Sequence, residues 1–120
     1  MEHDFFDMYL EEMRGITPLD RDEMVSVLEG IARGDAGARS RLVEGCLREV
    51  LEMVREYGDS ELPLSDLVQE ANTALMLAAI EYDGSEPWNE LMTRRVKESV
   101  ELALEEQRTE NQIEETMAAR

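Results

Sequence analysis

Apolar residues recur at steps of three and four along nearly the whole chain and nowhere alternate at every second position, so the pattern predicts helices and no strands. A first helix is expected over residues 4–13, with Phe5, Phe6, Tyr9, Leu10 and Met13 on one side and Gly15 ending it. After the turn at 16–19, Asp20 is placed as an N-cap. Glu23, three residues on, completes a capping box for a second helix running through Arg33. Gly34 closes that helix and Asp35 stands where it caps the next. The third helix, about 36–57, carries Val43, Cys46, Leu47, Val50, Met53, Val54 and Tyr57 on one stripe. Glu44, Arg48 and Glu52 lie behind it at spacings of four, as solvated ion pairs. A polar loop at 58–61 leads to Pro63 in the opening turn of a fourth helix, about 64–82. Beyond a loop at 83–87, a fifth helix starts near Trp88 and buries Met92, Val96, Val100, Ala103 and Leu104. Past Arg108 the stripe breaks, because Ile113 falls off it. The expected organisation is therefore a helical domain over 1–108 and a polar C-terminal tail over 109–120. The fold class is all-α, a compact bundle of about five helices.

The fourth helix has two patterned sides. Leu64, Leu67, Ala71, Ala74, Leu75 and Ala78 form an alanine-rich stripe suited to close helix packing, which assigns that side to the core. On the other side Asp66, Gln69, Glu70, Asn72 and Thr73 occupy the first half, and Met76, Leu77 and Ile80 the second. Two readings stay open for those three apolar residues. Either a second internal contact buries them, or they anchor a docking surface with a polar rim.

Charge narrows the choice of function. The 120 residues include 29 acidic and 12 basic side chains, a formal net charge of −17, which repels phosphate backbones and disfavours autonomous nucleic-acid binding. An acidic halophilic surface is a rival source of the same balance. The single cysteine, Cys46, sits among apolar residues and reads as a buried small hydrophobe, with no partner in the chain for a disulfide. No basic leader opens the chain, and its longest apolar run, 74–80, is far short of the roughly 20 residues that cross a bilayer. A cytoplasmic location is expected. The lone histidine, His3, is near the terminus, and no carboxylate grouping has metal-ligand spacing. The expectation is a protein that is not an enzyme, with no catalytic residues, no metal and no cofactor.

One resemblance goes further. Residues 66–83, DLVQEANTALMLAAIEYD, are similar to region two of the sigma-70 family, whose wording is close to DLIQEGNIGLMRAVEKFD. Residues 7–13 resemble that family's opening helix, 18–23 its LLTREEE turn, and 32–39 its IEAGDEEAR junction, all in order. The resemblance implies docking to the coiled-coil clamp helices of the RNA polymerase β′ subunit through Asp66, Gln69, Glu70, Asn72, Thr73 and Met76. It also implies a role in transcription initiation or its regulation. The promoter-melting segment departs from the family. Trp88 keeps an aromatic at its first position, but Leu91 replaces the tyrosine that stacks on the flipped minus-ten base, and Arg94 and Arg95 replace the two wedging tryptophans. Glu98 and Glu101 stand where the family has base-contacting glutamine and threonine. Stacking on single-stranded bases needs π-faces worth about 1–3 kcal/mol each, which leucine lacks. Promoter reading is expected to be weakened or lost, leaving Trp88, Arg94, Arg95 and Lys97 as the residual DNA-binding candidates. The glutamates four residues from Arg94 or Lys97 (Glu90, Glu98, Glu101) are expected to pair with them. A second subunit supplying promoter recognition would then be needed. The alternative is an acidic helical interaction module, a competitor for the polymerase or a nucleic-acid mimic, with no direct promoter role.

Overall fold

A computed structural model describes residues 2–58 and 60–119, with side chains from residue 7 onward, so the expectations for Phe5, Phe6 and His3 lie outside the described side chains. Five α-helices follow one another: α1 (Glu2–Glu12), α2 (Arg21–Arg33), α3 (Ala38–Arg55), α4 (Leu64–Glu81) and α5 (Trp88–Ala118), with a short 3-10 turn at Met13–Gly15 after α1. No strand occurs among the described residues.

Local chemistry sets the ends of α2. The Asp20 carboxylate accepts from the Glu23 backbone N–H at 2.8 Å, and the Glu23 side chain answers at the Asp20 N–H, closing the expected capping box. Gly34 ends the helix in the left-handed region at φ 77°, where a side chain would be strained. Asp35 does not cap α3. Gly37, also left-handed, takes the N-cap position with no side-chain cap, and the Asp35 carboxylate instead pairs with Arg33 at 3.0 Å. Pro63 precedes α4 and Pro87 precedes α5, each with a φ of −58° that suits a helix entrance.

α4 is the hub, packing on α3 along one flank and α5 along the other, while α2 lies on α3 and α1 reaches α4. Its buried side holds the expected six residues together with Val68 and Ala79. α5 contributes Trp88, Leu91, Met92, Val96, Val100 and Leu104, with Ala103 half-buried. The seam of α3 is rotated from the expected stripe. Leu42, Cys46, Val50, Leu51 and Val54 are buried, whereas Val43, Leu47, Met53 and Tyr57 are half-buried at its edge. The reason is that α3 packs against both α2 and α4, so its buried arc takes in Leu42 and Leu51 as well. Each such leucine or valine, fully buried, contributes about 1.5–3 kcal/mol.

Two arginines fasten the frame. Arg41 donates to the Thr17 carbonyl from both terminal nitrogens, at 3.3 and 3.2 Å, and pairs with Glu23 at 3.5 Å, tying the α1–α2 connection to α3. Arg39 donates to the carbonyls of Ala79 and Tyr82, the latter at 3.2 Å, and so satisfies orphan acceptors at the C-terminal end of α4. Arg48 has no ion pair with Glu44 or Glu52; those glutamates meet Arg41 and Arg55 instead, at 3.9 and 3.7 Å. Residues 109–118 continue α5 as helix and are almost wholly exposed.

Candidate functional site

The outward side of α4 is where the sequence placed most of its functional residues. Asp66, Gln69, Glu70 and Thr73 are exposed. Beside them Met76, Leu77 and Ile80 are 47%, 59% and 67% exposed, so the reading in which an internal contact buries these three is overturned. The cause is topological: α3 and α5 flank α4 on its core-facing side, and α1 meets α4 at Asn72, short of these three, which stay exposed. The apolar trio therefore forms a ridge between two grooves. The α3/α4 groove, about 370 Å³, is walled by Val43, Leu47, Met76, Ala79 and Ile80. The α4/α5 groove is about 500 Å³ and includes Glu70, Thr73 and Leu77.

Asn72 stands apart from the other five polymerase-binding candidates. It is half-buried, and its amide donates to the Tyr9 hydroxyl at 2.8 Å, joining α1 to α4. Tyr9 was legible in the sequence only as a core residue, since no helical spacing rule reaches across 63 positions.

The residual DNA-binding candidates on α5 are placed very differently. Trp88 is buried and meets Tyr82 edge-on with ring centroids 5.8 Å apart, so neither face of its indole is open to a base. Its ring N–H has no hydrogen-bonded partner, the adjacent Cys46 sulfur being a weak acceptor outside hydrogen-bonding geometry. Burial pushes the Cys46 thiol above its ordinary range, which keeps it neutral. Leu91 is also in the core. Arg94 makes a two-pronged pair with Glu86, at 2.9 and 2.7 Å, and Arg95 makes another with Glu81 at the same two distances. Glu98 adds contacts to Arg95 at 3.2 Å and Arg94 at 3.9 Å. The principal partners thus come from the end of α4 and the following loop. Of the expected within-helix pairs only Arg94–Glu98 forms; Glu90 pairs with neither cation, Glu101 receives the Tyr57 hydroxyl at 3.5 Å, and Lys97 is exposed without an ion-pair partner among the described residues.

Electrostatics reinforce this arrangement. The Arg95 hydrogen bonds hold the Glu81 carboxyl below its usual range, and Arg95 is raised in turn. The Ser85 hydroxyl and backbone N–H hold Asp83 down, which steadies the loop entering α5. Both guanidiniums are therefore committed to carboxylates and present little free positive charge to a phosphate.

No family model matches the chain. Similarity to individual proteins does exist. The chain is 36% identical over 76 residues to the RNA polymerase sigma factors SigA of Listeria monocytogenes serovar 1/2a and Listeria innocua serovar 6a. It is 34% identical over 77 residues to the RNA polymerase sigma factor RpoS of Coxiella burnetii. The chain is related to RNA polymerase sigma factors. Each alignment takes in 63% of this sigma-related chain, which spans about a fifth of the length of these curated relatives (20% and 22%). Among the described residues no grouping of histidine, cysteine, aspartate or glutamate could hold a metal ion, and no helix is long and apolar enough to cross a membrane.

Proposed function

We propose that this sigma-related chain acts in transcription initiation or its regulation by docking on the clamp helices of the RNA polymerase β′ subunit. Asp66, Gln69, Glu70, Thr73 and Met76 form the contact, with Asn72 setting its edge through Tyr9. Residues 1–108 are the docking unit resembling sigma region two, and 109–120 are its polar extension. One observation carries the reading: the helix whose wording resembles the polymerase-binding helix turns an acidic and amide rim, with large apolar anchors, to solvent. Such a rim around a dry centre is common interface anatomy. Promoter reading by this domain is weak, because Trp88 and Leu91 are buried and Arg94 and Arg95 are paired with carboxylates. A partner subunit then supplies promoter recognition.

The test is binding of the chain to core polymerase and to an isolated clamp coiled coil, followed by Glu70→Lys and Gln69→Ala. Both residues are exposed, so helix content should not change. Affinity should fall, by about 2 kcal/mol or more at the best position. Absence of binding by the unmodified chain at tens of micromolar, roughly the weak-affinity scale, would refute the proposal.

A further inference from the structure

The α5 face that walls the α4/α5 groove continues past the end of the groove itself. Its α5 wall includes Ser99 and Leu102. Steps of three, four and seven carry that same helix face through Glu106 to Ile113 and Met117, beyond the last buried residue, Leu104. Leu77, Leu102, Ile113 and Met117 are each more than half exposed. Leu102 to Met117 spans about 22 Å along the axis at 1.5 Å per residue.

Charge along this strip is one-sided. Glu70 borders it, and Glu106 and Glu110 stand on it between Leu102 and Ile113, with no cationic partner among the described residues. The nearby cations are already engaged, Arg95 by Glu81 and Glu98, and Arg108 by Glu61 at 3.0 Å. Exposed apolar anchors interspersed with unneutralised carboxylates ask for a partner with the complementary pattern. Anchors at helical steps match the apolar face of another helix laid along a groove. The carboxylates match lysines or arginines along its edge.

We propose that this strip is a docking site for an amphipathic helix with a basic edge, supplied by a different protein. A second copy of the chain is a poor occupant, since it would bring identical carboxylates together on a protein already at −17. Nucleic acid is repelled for the same reason. The inference does not depend on polymerase docking, as it shares only Glu70 and Thr73 with that surface and its anchors lie chiefly on α5.

The experiment uses a synthetic 18-residue helix of leucine and lysine, with leucines at positions i, i+3, i+4 and i+7, and the same composition in scrambled order. Anisotropy at about 150 mM salt, where the screening length is roughly 8 Å, suppresses long-range attraction. The patterned peptide is expected to bind with a Kd on the order of 10 µM, and the scrambled one at least about tenfold more weakly. Leu102→Ser combined with Ile113→Ser should weaken binding at least about tenfold, and so should Glu106→Lys with Glu110→Lys. Val25→Ser, at an exposed site on α2, and Gln69→Ala should leave the peptide affinity unchanged, although Gln69→Ala is expected to weaken clamp binding. Far-UV circular dichroism checks that each variant keeps its helices. Equal binding of the scrambled peptide, an unaffected serine double variant, or a dimer in sedimentation that the serine variant dissociates would each overturn the proposal.

Discussion

Replacing Gly45 by alanine sets two effects of similar size against each other. Alanine is favoured over glycine inside a helix by about 1 kcal/mol, and Gly45 lies mid-way along α3. A Cβ at that position, however, would stand 2.4 Å from Leu19 Cγ and 2.6 Å from Leu19 Cδ1. Carbon atoms pack at about 3.5–4.0 Å, so the leucine has to withdraw by more than about 1 Å. Leu19 is half-buried and joins the edge of the core. Losing roughly half the burial of a leucine costs about 1 kcal/mol, and overpacking typically adds about 1–3 kcal/mol. Gly45→Ala should therefore destabilise the chain by about 1–3 kcal/mol. In a Leu19→Ala background the same change should stabilise it by about 0.5–1 kcal/mol, because the Leu19 Cβ is 3.4 Å away and leaves room. Urea unfolding of the four proteins gives the cycle, with an expected coupling of about 2 kcal/mol. If Gly45→Ala has the same effect in both backgrounds to within about 0.5 kcal/mol, the close approach of Leu19 to α3 is not what selects glycine.

Other perturbations address charge and the α5 residues. Raising salt from about 10 to about 150 mM contracts the screening length from roughly 30 to 8 Å and should raise the thermal midpoint of a chain at −17; a falling midpoint would mean that local pairs dominate. Glu61, Glu81 and Asp83 have carboxyls held below their ordinary values by hydrogen bonds in the fold. Their contribution is present above the ordinary carboxylate range of about 4 and falls away below it, and Glu81→Gln should flatten that part of a stability-versus-pH curve. Leu91→Tyr, which restores the family's stacking residue, should cost about 1–3 kcal/mol by overpacking, since Leu91 is only 3% exposed; an unchanged midpoint in a thermal melt would contradict its core placement. The unmodified domain should show no preference for a single-stranded minus-ten oligonucleotide over a scrambled one by anisotropy, even when bound to polymerase, and a clear preference would show that another surface reads DNA.

What could be read from the sequence divides along the range of the interactions. The capping box of α2 and its Gly34 terminus involve residues three or four apart, and the sequence shows them directly. The core stripe of α4 was equally plain, because small and large apolar residues alternate there with charged ones at helical spacing. The seam of α3 was misjudged by a rotation, since periodicity does not say that two neighbours share one helix. The partners of Arg94 and Arg95 escaped for a related reason: Glu86 and Glu81 stand 8 and 14 positions earlier, across a loop, where no spacing rule points. At the candidate docking face the residue types were legible, but their exposure was not, because it depends on which side of α4 the other helices occupy.

The projecting end of α5 has its own energetics. Beyond Arg108, whose pair with Glu61 ties α5 to the bundle, residues 109–118 continue the helix, a stretch shorter than the roughly 12–15 residues at which an isolated helix is marginal in water. Its last turn has no basic residue, while Glu114 and Glu115 lie near the negative end of the helix dipole, a mildly unfavourable placement. The segment should therefore open and close on its own, many times for each opening of the bundle, with amide exchange quickening steadily towards Ala118. Whatever settles on this arm has to hold it helical, so its hold should slacken on warming well before the bundle melts.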